Sequence, residues 1–505
     1  MPPSCLFIAR VLLLTLSIVG SAQAVQPHHY PHRYRITIDP ALGSMAVEAR
    51  FSSWVNTVNA RSHDAGEYLA DVRDCDNAAL IRLRNQRMML PAGGIRCMSY
   101  TVDLQAAGRS ADPKRLLAAE NIVVSPSLWL WRPTLVAGES IVIRFVLPEG
   151  MQVAVPWPRD EREPNTFRLS SSPETSNAPA VFGRFDYRNI PVPGATLRVS
   201  VPRTRSDEGD LVDSDSIFEW LRRTATAVSL AYGRFPNPSP QVVVLPVEES
   251  RRSSSAVPFG RVVRDGGEAI ELFVDRDQPL EAYLRDWTAT HEFSHLMLPY
   301  VAPTHRWVSE GFAQYYQNVL LARSGTYDPL EAWQKLYDGL ERGRHSRPEL
   351  SPNEATARGM DNGRMKIYWS GAAIALMADV TLRERSGGTQ TLDDVMERLQ
   401  FCCLPSHRAW TGPELFETLD VLAGSPVFMP LYRRYADTAG FPDTRPVFKR
   451  LGLAVSNDKV KIRRGGELQH IRTAITQADC LEAGHREQLA GRKAATRRAG
   501  AAGSR

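Results

Sequence analysis

The chain has 505 residues, room for two or three domains with sizeable cores. Hydrophobic residues at 43% and charged residues at 23% are the proportions of a soluble globular protein. A net charge of +5 is slight for this length and gives no reason to expect a nucleic-acid partner.

Residues 1–24 read as a signal peptide. Arg10 supplies the positive start, Val11–Val19 a short apolar run, and Ala22-Gln-Ala24 the small-residue cleavage pattern. The apolar run is too short to span a bilayer, and no later segment reaches about 18 uninterrupted apolar residues. The expectation is an exported protein, periplasmic or secreted, with no stable membrane insertion once the signal is removed. Export permits disulfides. Cleavage leaves Cys75, Cys97, Cys402, Cys403 and Cys480. Cys75 with Cys97 is the natural pair, Cys402 or Cys403 is a partner for Cys480, and one thiol is left over. His28, His29 and His32 follow the cleavage site and read as a solvated leader.

From Tyr30 to Val201 short alternating or apolar runs predict strands, among them Arg35–Ile38, Ile141–Val146, Gln152–Val155 and Thr196–Val201. Gly and Pro punctuate them, so residues 25–203 read as an N-terminal β-sandwich-like domain. Trp129, Trp131 and Trp157 are expected in its core. The charged stretch Pro202–Asp215 marks a boundary. Beyond it Ser216–Tyr232 has helical periodicity, Gln241–Pro246 and Ala269–Val274 read as strands, and Leu280 to Phe401 is mostly helical. That order predicts an α+β catalytic domain over 204–445. A small C-terminal segment, 446–484, carries one or two short strands and a helix. The basic tail 485–505 reads as disordered; Gly491–Arg505 alone has five basic residues and no acidic one.

The chemistry concentrates in Thr290-His-Glu-Phe-Ser-His-Leu296, within an expected helix over Glu281–Leu298. His291 and His295 stand four residues apart, so they project from one helix face and can converge on one ion. Two imidazoles and a carboxylate suit Zn2+, with a position left for water. Glu292, beside the first histidine, can act as general base on that water. Pro299 closes the helix. The next begins near Trp307-Val-Ser-Glu-Gly-Phe-Ala313, with Ser309 as its cap and Glu310 in its first turn as the third metal ligand. Gln314, one turn on, is a candidate support for that ligand or a surface amide.

These two segments resemble the signature of the gluzincin metallopeptidases. Tyr368-Trp-Ser-Gly371, Arg383–Gly388 and Thr391–Leu399 narrow the resemblance to the glycyl aminopeptidase family, over about 285–400. It is fainter around Ser127–Pro133 and Val155–Pro158. The resemblance implies a thermolysin-like catalytic domain behind a β-domain, a peptide or protein substrate, and a catalytic role for Tyr368 as donor to the tetrahedral oxyanion. The sequence departs from the family in three places. Only 14 residues separate His295 from Glu310. A glycine-rich substrate strand with an amine-recognising Glu is missing, Glu268 after Gly266-Gly267 being the poor substitute. The C-terminal remainder is too short for a complete PDZ-like module. His305, in the connecting loop, is read as a bystander.

The resulting expectation is a zinc metallopeptidase. A catalytically silent relative that binds peptides or envelope proteins is the rival, and Glu292 argues against it, since a binding module needs no base beside its metal. Zinc hydrolysis of a non-peptide amide or ester shares the same chemistry.

Overall fold

A computed structural model describes residues 30–109, 120–136, 138–171, 178–203, 213–247 and 255–477. The expected signal peptide, His28, His29, Cys480 and the basic tail lie outside the described residues. The architecture is mixed α+β, sheet-rich at the N-terminal end and helical towards the C-terminal end.

Six strands form the first sheet, in the order Thr166–Ser170, Ser140–Val146, His32–Ile38, Ser44–Val55, Ile95–Asp103, Leu69–Arg73. Period-two alternation decides which residues face inward: His32–Ile38 is buried at every second position. His32 itself is therefore buried rather than part of a solvated leader. Its Nδ1 accepts the Ser52 N–H at 3.1 Å, and its ring meets Phe51 edge-on. A second sheet of Asn121–Val124, Ala180–Gly183 and Gln152–Ala154 shares the same core. Trp129, fully buried there, packs edge-on against Phe145, Trp157 and Phe182 at centroid distances of 6.4, 6.1 and 6.1 Å. A Cys75–Cys97 disulfide ties two parts of this region together, its Cα atoms 5.3 Å apart.

The third sheet runs Asp186–Val192, Ala195–Val201, Gln241–Pro246, Glu268–Val274, Phe259–Arg264. Thr196–Val201, read from sequence with the N-terminal strands, pairs antiparallel with Asp186–Val192 on one side and in parallel with Gln241–Pro246 on the other. One face of this sheet, through Val199, Val242, Ile270 and Leu272, packs on the helices; the other, through Val243, Leu245 and Phe273, packs on Val123, Ala154 and Val181 of the three-stranded sheet. The two regions are also joined by ions and close backbone contact. Asp265 pairs with Arg61 at 2.8 Å and Arg132 at 3.5 Å, and its carbonyl accepts the Trp157 indole N–H at 2.8 Å. A side chain at Gly267 would strike the Pro156 carbonyl, so the approach requires glycine.

Two long helices, Arg306–Arg323 and Arg364–Arg385, form the helical core. They cross backbone to backbone: a Cβ on Gly311 would lie 2.2 Å from Gly371 Cα, and one on Gly371 would lie 2.2 Å from the Trp307 carbonyl oxygen. At their far ends a buried polar cluster locks them together. Tyr315 donates to Asp379 at 2.7 Å, Arg383 pairs with Asp379 at 2.9 Å, and Arg323 pairs with Asp393 at 2.8 Å. Thr391 and Asp394 cap helix Leu392–Cys403 reciprocally, as their spacing predicts. That helix ends in a disulfide between the adjacent Cys402 and Cys403, which replaces the pairing with Cys480 expected from sequence. The last described elements are a helix Arg445–Arg450, a hairpin of Leu453–Ser456 with Lys459–Ile462, and a helix Gln469–Thr476. They pack Phe448, Leu453, Val460 and Ile471 into the same core as the long helices. Among the described residues no helix is long and apolar enough to cross a membrane.

Candidate metal centre

The histidine motif does not lie in one long helix. Leu280–Arg285 ends at Asp286, whose carboxylate accepts the Thr288 N–H at 2.7 Å and so starts a fresh helix, Thr288–Ser294. His295 begins a tighter 3-10 turn that ends at Met297. The i, i+4 relation survives this change of winding. Phe293 and Ala289 belong to the core beneath the motif, where Phe293 meets Phe235 at 5.3 Å, and this leaves His291 and His295 pointing towards the next helix.

That helix begins at Arg306, after a 3-10 turn at Pro303–His305. Ser309 is therefore not its cap, and Glu310 sits beyond the first turn. Ser309 instead serves the motif: its hydroxyl lies 3.0 Å from His295 Nδ1, which orients the ring and presents Nε2 to the centre. The backbone crossing at Gly311 brings the Glu310 helix onto helix Arg364–Arg385, which carries Tyr368.

The structure brings His291, His295 and Glu310 together, with one potential ligand atom from each within 4.8 Å of the others. Glu310 Oε2 is 3.3 Å from His291 Nε2 and 3.4 Å from His295 Nε2. His291 is buried, 2% exposed in its side chain, and the two rings stand nearly perpendicular with centroids 4.8 Å apart. Trp287 and Tyr368 flank His291, the tyrosine ring almost parallel at 5.6 Å. Two imidazole nitrogens and one carboxylate oxygen converging on a point, with no lysine or arginine among them, are the donor set of a three-ligand zinc site. The residues fit the metal.

Electrostatics at the centre separate the two carboxylates. Burial pushes the Glu292 carboxyl up to about 7; the His291 imidazole opposes that rise, Glu310 adds to it, and the Val262 N–H pulls down. Burial acts on Glu310 in the same sense, but the His295 and His291 imidazoles outweigh it and hold that carboxyl well below the usual range. Burial, then the Glu310 and Glu292 charges, raise the Tyr368 phenol, which stays protonated and able to donate. One carboxylate is thus a fixed charge and the other is poised near neutrality.

The remaining candidates fall outside the donor set. Gln314 is buried rather than a surface amide, and among the described residues no hydrogen bond links its side chain to the donors. Glu268 is taken up by Arg264, at 2.8 Å, and by Asn237. Arg264 in turn donates to the carbonyls of His295 and Leu298, both at 3.2 Å, and so braces the motif turn. His305 packs its ring against Gly412. Sequence reasoning misses the edge strand Phe259–Arg264, where a Cβ on Gly260 would lie 2.7 Å from Glu292 Cγ. Only glycine lets that strand pass so close to Glu292. Pro258-Phe-Gly260 is the available signal, masked by two arginines that interrupt the apolar run.

Comparison with known proteins adds to the geometry. Residues 300–373 match the family described as M61 glycyl aminopeptidase, a segment that contains Glu310 and Tyr368 but neither histidine. The chain resembles that family. No curated protein matches it. Among solved structures, an aminopeptidase N family protein from Idiomarina loihiensis superposes with a TM-score of 0.55 at 15% identity, covering 84% of this chain and 79% of that one. An M1 zinc metallopeptidase from Deinococcus radiodurans gives a TM-score of 0.48 at 13% identity, over 82% of this chain and 94% of that one. The first of these likenesses shows a shared fold.

Proposed function

We propose that the chain is a zinc-dependent metallopeptidase of the gluzincin type with a thermolysin-like catalytic core, hydrolysing peptide bonds in the periplasm or outside the cell. The observation that carries the reading is the convergence of His291, His295 and Glu310 beside a buried Glu292. The match to the M61 glycyl aminopeptidase family supports it. Export is supported by two disulfides, Cys75–Cys97 and Cys402–Cys403, which persist in oxidising compartments.

His291 Nε2, His295 Nε2 and the Glu310 carboxylate would hold the ion. Zinc bound there supplies Lewis acidity, polarising the scissile carbonyl and making water acidic. Glu292, ionised at first, takes the proton of the attacking water at its carboxylate and passes it to the departing amine. Its buried position keeps that proton from bulk solvent. Tyr368, held against His291, donates its phenolic hydrogen to the oxyanion that develops as the carbonyl becomes tetrahedral. Strand Phe259–Arg264 is the last in its sheet and runs alongside Glu292, so its outer backbone groups offer a place where an extended peptide can add as a further strand.

Zinc content and peptide hydrolysis, measured in the protein and in Glu292→Gln, test the reading. One zinc per chain in both, with hydrolysis only in the first, is the expected result. Absence of zinc from both after metal repletion would sink it.

A further inference from the structure

The face of the five-stranded sheet turned away from the helices contains a second polar site. Strands alternate, so Gln241 shares its face with Val243 and Leu245 and points towards the N-terminal sheets. Arg198 is its neighbour across the strand pair. Where apolar packing should continue there is a cavity of about 170 Å³, lined by Arg159, Arg198, Gln241, Asn165, Tyr187 and Phe167 among others.

Two of these groups are buried without the partners that burial demands. Arg198 is 5% exposed and has no carboxylate within salt-bridge distance among the described residues. Three of its N–H groups are spent on backbone carbonyls: Nε on Ser239 at 3.3 Å, Nη1 on Val155 at 3.0 Å, Nη2 on Pro156 at 3.2 Å. One hydrogen on each Nη remains, and no carboxylate among the described residues compensates the positive charge. Burial pulls the Arg198 pKa down to about 10, with Tyr187 opposing the fall and Arg159 adding to it. Gln241 is fully buried, and among the described residues neither its amide nitrogen nor its amide oxygen has a hydrogen-bond partner. Arg159, exposed at the rim, brings a second positive charge to the same cavity. A buried cation without a counter-charge is in the position of half a broken ion pair, and an orphaned amide bears the whole penalty of leaving water.

We propose that this cavity binds a small oxyanion that also carries a hydrogen-bond donor, such as hydrogen phosphate or an α-hydroxycarboxylate. Arg198 and Arg159 neutralise the charge, the Gln241 Nε2 hydrogens donate to an anionic oxygen, and Gln241 Oε1 accepts from the ligand's hydroxyl. The site is distinct from the metal centre: the motif helix packs on the opposite face of the sheet.

Calorimetric titration of the full chain with inorganic phosphate and, separately, with lactate tests the site, with acetate as the control that lacks a donor. Expected is one-to-one binding of phosphate, lactate or both, with acetate weaker than lactate. Binding should weaken about tenfold or more in Arg159→Gln, the loss of one charge-assisted contact, and persist in His291→Ala. Gln241→Leu should weaken it likewise; should that variant fail to fold, the rim substitution Arg159→Gln decides alone. Binding of phosphate only assigns a phosphoryl ligand, and binding of lactate only a hydroxy acid. No binding of either, binding unaffected by Arg159→Gln, or binding lost in His291→Ala overturns the proposal.

Discussion

On the helical face of the five-stranded sheet the buried polar groups are drawn together, His291 and His295 on Glu310 and His295 on Ser309; on the far face Arg198 and Gln241 are buried with no carboxylate paired to them among the described residues. Both faces bury polar atoms, which is costly unless something completes them. The sign of what is left over indicates what completes each. A carboxylate and two imidazoles in contact call for a cation. A guanidinium with an orphaned amide calls for an anion that can also donate. The first face therefore gathers groups that converge on each other, the second groups that line a cavity.

Substitutions can break or sharpen that contrast. The largest effect is expected from Glu292→Gln, which removes the base while leaving the three donors: kcat/KM falls about 10³-fold with zinc content unchanged, by metal analysis and steady-state kinetics. A parallel loss of zinc would show Glu292 to be part of the donor set. Asp379→Ala tests whether polar groups on the helical face are valuable because they are paired. It strips from Arg383 the nearer of its two carboxylates, leaving Asp393 at 3.7 Å, and takes the acceptor from Tyr315, and should cost about 3–5 kcal/mol in urea unfolding. A negligible change would mean the cluster is no better satisfied than Arg198.

Tyr368→Phe keeps the ring stacked on His291 and removes only the donor, so kcat should fall about 10²-fold with KM nearly constant. A change confined to KM would make the phenol a substrate contact. Ser309→Ala frees one nitrogen of His295 and should weaken zinc affinity about tenfold in chelator competition, with the folded state unaffected. The smallest effect belongs to the far face: Gln241→Leu, in buffer free of phosphate and hydroxy acids, should raise unfolding stability by about 1 kcal/mol by deleting two unsatisfied atoms. Destabilisation instead would mean that the amide is satisfied by water.

Legibility in the sequence follows the range of the interactions. The i, i+4 histidines and the carboxylate one loop later are local patterns, and the three side chains meet where those patterns place them. Tyr368 is reachable through family resemblance alone, because nothing in its own neighbourhood ties residue 368 to residue 291. Ser309 misleads for a short-range reason: a serine just before an acidic helical residue looks like a cap, but the helix has already begun at Arg306 behind Pro303. The strand pattern of Thr196–Val201 is visible, whereas its sheet is not. Side-chain alternation says which residues are buried and nothing about which distant strand takes the hydrogen bonds. The far-face cavity is invisible for the same reason, since Arg159, Arg198 and Gln241 come from three separate strands and loops.

The backbone crossing at Gly311 and Gly371 constrains how this protein can change over generations. Each glycine sits close to a residue of the centre, one next to Glu310 and the other three positions after Tyr368. A single methyl group at either would collide with main-chain atoms that cannot swing aside. Losing one glycine is harmful whatever occupies the other position, so neither loss can be rescued by a second change at its partner. Each is therefore held in place on its own account, by the main chain that passes against it.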